Sequence, residues 1–255
     1  MKKHIRVITI PAFVLFFLYH SSVSGQKTDL EKMNIKGRVN SIRELHYRID
    51  GDSLNYAIIG ADVSYSYFFN PEGNKKEDLI YHIDGSLNRK FKFQYDESGH
   101  KSSQTQYTAN DSLIRTIKYS YDKDGMLNEE IYYNGAGNKE KKIAYHYDKK
   151  GNVTEEKHTT GGGKLLYRFS YTYDDEGKLT DNQRFDRNGK LEKRVKSFND
   201  SAGNVTREEI YNDGDQRTHT GTFQYKSDLK GNWIKKLEFS DNNISYLVER
   251  EIKYY

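Results

Sequence analysis

A glycine recurs along this chain in a fixed register: Gly73, Gly99, Gly125, Gly151, Gly177, Gly203 and Gly231. Five of the intervals are 26 residues and the last is 28. Three residues ahead of each glycine stands Asn70, Asp96, Asp122, Asp148, Asp174, Asp200 or Asp228. The frame D-x-x-G is a tight-turn signal, because the Asp carboxylate accepts backbone N–H groups two residues on and Gly adopts positive φ at little cost. The spacing predicts a type I turn closed by a glycine bulge at every copy.

The residues around the turn alternate with period two. Ahead of it stand Ile117, Tyr119 and Tyr121, then Ile143, Tyr145 and Tyr147, then Phe169, Tyr171 and Tyr173. Such spacing places three side chains on one face of a strand. Eight residues beyond the glycine lies a second aromatic column, Tyr81, Tyr107, Tyr133, Phe185, Tyr211 and Phe239, broken by Thr159. A second turn follows about half a period later, as at Gly85, Gly137, Gly161–Gly163 and Gly189. Each unit is therefore an antiparallel hairpin that cannot bury its aromatic face alone. The expected fold is all-β: repetitive antiparallel hairpins forming one long twisted or curled sheet of about 14–16 strands.

The ends differ from the repeats. Lys2, Lys3 and Arg6 precede an apolar run from Val7 to Tyr19 and then small residues, the layout of a signal peptide over residues 1–25 with cleavage before Gln26. The run is short of the ~20 residues a membrane helix needs, so no integral span is expected after cleavage. Residues 26–64 read as a capping segment with a degenerate hairpin, and 65–255 as the repeat array. Without residues 1–25 the chain keeps 38 basic against 37 acidic residues. That balance gives nucleic-acid binding no support. With no cysteine in the chain, a lipid-bearing Cys anchor and thiol chemistry are both excluded.

"YHYDKKGN" at Tyr145 carries the motif Y-x-Y-D-x-x-G-N in full; "YSYDKDG" at Tyr119 and "YTYDDEG" at Tyr171 lack only the final Asn. The pattern resembles the Rhs/YD-repeat family of secreted bacterial proteins, and in its short form the secreted Bacteroidetes-type members, over roughly Tyr65 to Tyr255. In larger members the resemblance implies strands spiralling into a hollow shell around a toxin or within an adhesion protein. This chain reads as too short to close such a shell, and toxin delivery is not carried over.

The candidate chemistry is sparse. The Asp column has its own turns to cap, and one carboxylate per unit falls short of the six or more oxygens calcium takes. The histidines of the repeats show no metal-ligand spacing; no cofactor is expected. Neighbouring carboxylates such as Glu129 and Glu130, Glu155 and Glu156, or Glu208 and Glu209 point to opposite faces, so they form no dyad within a pair; they are expected to meet Lys and Arg on neighbouring strands. The tyrosine ladder is the remaining candidate. The expectation is a non-catalytic secreted module, periplasmic or extracellular, binding an envelope polysaccharide or protein through Tyr119, Tyr121, Tyr145, Tyr147, Tyr171 and Tyr173. The alternatives are a glycan-active enzyme on a β scaffold or a purely structural surface repeat. The turn residues Asp96, Gly99, Asp122, Gly125, Asp148, Gly151, Asp174, Gly177, Asp200, Gly203, Asp228 and Gly231 are read as structural.

Overall fold

A computed structural model describes residues 27–52 and 54–255. The signal segment and its cleavage point lie outside these residues. A short helix, α1 (Asp29–Lys32), leads into sixteen strands. They are β1 (Val39–Gly51), β2 (Tyr56–Phe69), β3 (Lys75–Tyr81), β4 (Leu87–Tyr95), β5 (Lys101–Thr108), β6 (Leu113–Tyr121), β7 (Leu127–Asn134) and β8 (Lys139–Tyr147). Then follow β9 (Val153–Thr160), β10 (Leu165–Tyr173), β11 (Leu179–Asp186), β12 (Leu191–Asn199), β13 (Val205–Tyr211), β14 (Arg217–Ser227), β15 (Trp233–Ser240) and β16 (Asn243–Tyr254).

Every strand pairs antiparallel with its chain neighbours, and β16 returns to pair with β1. The hairpin array is as the repeat implies, but the expected open or lengthwise-curled sheet is corrected: the sheet closes into a barrel. The reason lies in the turns. Each hairpin carries a register shift at the D-x-x-G end, as at Gln94/Tyr95, and each return carries one at the other end, as at Gln106/Tyr107. Bulges bend a strand and increase its right-handed twist. Repeated at every unit, the bends add until the last edge meets the first, and closure removes both exposed edges.

The turns have the geometry the spacing predicts. Asp148 N–H donates to Asn152 O and Gly151 N–H to Asp148 O, while Asp148 Oδ1 accepts from the amides of Lys150 and Asn152 at 2.8 and 2.9 Å. Asp96, Asp122, Asp174 and Asp228 do the same in their own turns, and Asp200 accepts from Asn204 N–H. Gly99, Gly125, Gly151, Gly177, Gly203 and Gly231 all have positive φ. At Gly151, with φ +83°, a Val side chain is expected to destabilise the fold by about 1–3 kcal/mol. Urea unfolding of Gly151→Val checks this; an unchanged midpoint would show that the turn tolerates a β-branched residue.

The motif's second tyrosine has a separate task. Tyr121, Tyr147 and Tyr173 donate their hydroxyls to the carbonyls of Lys101, Leu127 and Val153 at 2.7–3.0 Å, and the Tyr95 hydroxyl, 2.8 Å from Lys75 O, shares its one proton between that carbonyl and Asp29. Each of these acceptors opens the neighbouring strand at its bulge. Asn199 Nδ2 and the Tyr225 hydroxyl make the same bond to Leu179 O and Val205 O. Each such bond ties one hairpin to the one before it.

The two faces differ sharply. One bears buried residues at alternate positions, including Tyr145, Val153 and His158 at 6, 1 and 6% exposure. This face points inward. The other bears ion pairs: Lys142 with Glu129, Arg168 with Glu155, Arg194 with Asp181. The second aromatic column also lies outside, and four of its six rings are covered by a cation of a neighbouring strand. Lys92 lies over Tyr107, Lys118 over Tyr133, Arg168 over Phe185 and Lys196 over Tyr211, at 3.9–6.0 Å from the ring centres. The β1–β2 hairpin, whose second strand has two register shifts, bends over the outer face so that Tyr56 and Ile49 cover Leu237, Leu247 and Ile244.

Candidate functional site

A closed ring of sixteen strands is wide enough to enclose a lumen, and among the described residues the wall's bonds and apolar clusters run between nearby strands of the ring. One segment reaches across it. Asp29, buried at 6% exposure, accepts from Lys75 N–H, the Tyr95 hydroxyl and Lys101 Nζ at 2.9, 2.6 and 3.0 Å. Five residues later Asn34 Nδ2 donates to Ala202 O in the β12–β13 turn, and Lys36 exchanges bonds with Asn232 beside the β14–β15 turn. Strands β2, β1, β16, β15 and β14 separate β3 from β13 around the ring. The five residues from Asp29 to Asn34, at most about 18 Å of chain, bridge these walls, so the segment pinches and floors the D-x-x-G end. Among the described residues, no segment crosses the opposite end. The lumen is a cup.

Local sequence explains the floor. Thr28 and Glu31 form a reciprocal capping box that starts α1, and the turn delivers Leu30 and Ile35 onto Val39, Ile42 and Phe69. Burial alone would raise the Asp29 pKa. Lys101 and Lys32, the Tyr95 hydroxyl and the Lys75 amide outweigh it and hold the carboxyl well below the usual carboxylate range.

All six ladder tyrosines face the lumen, on β6, β8 and β10. Tyr121, Tyr147 and Tyr173 lie near the floor and use their hydroxyls on the wall. Tyr119 donates to Gln104 Oε1 at 3.1 Å, and Tyr145 to Glu130 Oε1 at 2.9 Å. Burial, with Glu156 beside it, raises the pKa of Tyr171. Burial raises the pKa of Tyr119 and Tyr145 well above the ordinary phenol value, so both stay neutral donors.

The paired carboxylates divide between faces. Glu129 and Glu155 meet cations outside, as the cross-strand expectation has it. Their neighbours Glu130 and Glu156 face inward on β7 and β9, two strands apart and opposite Ile143 and Tyr145 of the strand between them. Glu130 also accepts the Tyr132 hydroxyl at 2.6 Å, and Glu156 meets His158 Nε2 at 3.1 Å. The spacing gave alternation but no sign of which face would be enclosed, so these two were not singled out. Burial raises the Glu130 pKa against the pull of its two tyrosines. A raised folded pKa means stability is greatest below the unfolded value, near 4.3, and is lost as pH rises through the folded value. Glu130→Gln is therefore expected to stabilise the protein at neutral pH, by about 1 kcal/mol, and to flatten that decline. Melting temperature against pH measures it; a less stable Gln variant at pH 7 would mean the carboxylate is preferred.

A family model described as "Uncharacterised protein" matches residues 57–216, more than half of the chain. The chain belongs to that family. No curated protein matches the sequence. Among solved structures, a porin-like protein from Bacteroides uniformis is 11% identical, with 84% of this chain and 96% of that chain covered and a TM-score of 0.58. A porin-like protein from Bacteroides vulgatus is also 11% identical, with 69% and 97% covered and a TM-score of 0.42. A putative outer membrane lipoprotein-sorting protein domain from Vibrio parahaemolyticus is 12% identical, with 87% and 88% covered and a TM-score of 0.31. Of these three, the first shares the fold, and at that identity the likeness is of fold alone.

Proposed function

We propose that the protein is a non-catalytic binding module of the cell envelope, exported from the cell, whose cup takes in part of an extended polysaccharide. The observation that carries this reading is the lumen: floored at one rim, uncrossed at the other among the described residues, and walled by the same side chains unit after unit. A catalytic centre needs different groups converging at one place. Equivalent positions along a wall suit a ligand that itself repeats, because weak contacts add through effective concentration. The N-terminal sequence supports export, and the Y-x-Y-D-x-x-G-N motif supports kinship with short secreted YD-repeat proteins. The porin-like description of the fold's neighbour fits an envelope setting. The outer face speaks against a lipid-spanning barrel, which needs an outward apolar band of about 25 Å; here ion pairs occupy that face.

The test replaces Tyr145 and Tyr147 with Ser and follows retention on immobilised envelope polysaccharides. The parent is expected to be retained, and the variant, once circular dichroism shows it folded, to bind at least about tenfold more weakly. Equal retention by a folded variant removes these tyrosines from the reading. A parent retained on no polysaccharide leaves a structural role.

A further inference from the structure

We infer that the upper lumen wall is a binding row for anionic glycans. This rests on the lumen-binding reading above and names its ligand class. Above the carboxylate tier, consecutive strands present Arg115 on β6, Tyr132 on β7, Lys141 on β8, His158 on β9, Tyr167 on β10 and Arg184 on β11. Tyr132 is paired with Lys141 across the ladder, and His158 with Tyr167. Lys141 Nζ lies 4.2 Å from the Tyr132 ring centre and Arg115 Cζ 5.9 Å from it. The His158 ring stacks on Tyr167 at 4.5 Å, and Arg184 Cζ lies 4.4 Å from the Tyr167 centre.

Aromatic rings hold cations in place without neutralising them. Lys141 makes no ion pair among the described residues, and burial lowers its pKa although Glu130 and Glu156 oppose this. His158 is 6% exposed and stacks within the row, and Arg115 Nε–H has no hydrogen-bond partner. A buried N–H without an acceptor is costly, and a ligand oxygen that reaches it removes that cost. The acids that face the row are already engaged. Glu140 and Glu192 pair with Arg115 and Arg184 at about two-fifths exposure. In the tier below, Glu130 is held by two tyrosines and Glu156 by His158.

The period points to a polymer. Arg89, Arg115, Lys141 and Lys193 occupy one repeat position, 26 residues apart save for Tyr167 in the gap. Their strands alternate, so Arg89, Arg115 and Lys141 stand two strands apart, about 10 Å or more from one to the next, and Lys193 lies four strands beyond Lys141. A glycan with carboxylate or sulfate groups along its length can engage several of them at once.

The experiment uses three hexasaccharides: oligogalacturonate, a heparin-derived sulfated sugar, and maltohexaose. Isothermal titration is run at low and high salt with the parent and with Arg115→Gln/Lys141→Gln, both checked for melting. The parent is expected to bind an anionic sugar more tightly than maltohexaose, and the variant to lose about tenfold or more in that affinity, with salt weakening the parent most. Binding of the sulfated sugar but not the galacturonate supports the row and names the anion. Equal binding of maltohexaose, or undiminished affinity in a folded variant, overturns the row and leaves the lumen reading standing. No binding of any hexasaccharide, together with no retention on polysaccharide, overturns both.

Discussion

Arg250→Ala is expected to destabilise the protein by about 3–5 kcal/mol, because it strands a buried carboxylate at the closing seam. Glu44 on β1 stands opposite Arg250 on β16. Arg250 Nη2 and Nε reach Glu44 Oε1 at 2.6 and 2.7 Å, and both side chains are about nine-tenths buried. Its guanidinium carbon also lies 3.4 Å from the Trp233 ring centre. Burial would push the Glu44 pKa up, but Arg250 and His46 outweigh it and bring it down to about 2. The sign follows: a depressed pKa gives stability above the unfolded value, near 4.3, which is lost as pH falls through about 2. Urea unfolding at pH 7 measures the loss. A companion, Glu44→Gln/Arg250→Met, is expected to recover most of it, since it removes both charges together. If Arg250→Ala costs under 1 kcal/mol, the seam is not held by this pair.

The second large effect is expected at the floor. Asp29→Ala removes the acceptor shared by Lys101, Tyr95 and the Lys75 amide, leaving a buried cation unpaired at a cost of about 3 kcal/mol. The loss falls first on the entry segment, whose other ties are the Leu30 N–H bond to Gly73 O, the packing of Leu30 and Ile35, and the turn contacts of Asn34 and Lys36. Trypsin is therefore expected to cut at Lys32 or Lys36 faster in the variant, with the barrel's own melting less affected. The depressed Asp29 pKa keeps the floor intact above the unfolded value, near 3.9, and loosens it only as pH falls further. Identical cleavage rates in parent and variant at pH 7 would count against Asp29 as the anchor.

Much of the wall was legible from residues alone, because its geometry is local. A D-x-x-G turn sets its own φ and its own hydrogen bonds, so Asp148 and Gly151 announce a hairpin whatever surrounds them. Closure was not legible. It depends on the sum of small bends over many units and on whether β16 reaches β1, neither of which any one repeat encodes. The same limit hid the lumen. Alternation separates Glu129 from Glu130, but only a closed ring decides that Glu130 is enclosed with Tyr132 and Tyr145. Asp29 was hidden for another reason: its partners Lys75 and Lys101 lie 46 and 72 residues away, and nothing near it in sequence marks it as an anchor. The wall-tying role of the motif's second tyrosine was hidden as well, because its carbonyl acceptor lies twenty residues back.

The β1–β16 pairing also changes how the molecule comes apart. In an open array of stacked units the terminal ones have a single neighbour and fray first. Here every strand has two partners, and the first and last strands hold each other through nine paired positions. No unit is terminal, so no region is a natural starting point for melting. Breaking the ring anywhere sacrifices one ladder before any residue gains the freedom of a loose end. A chain written as independent-looking copies is thereby made to unfold as one body, with the weakest ladder deciding the stability of all the others.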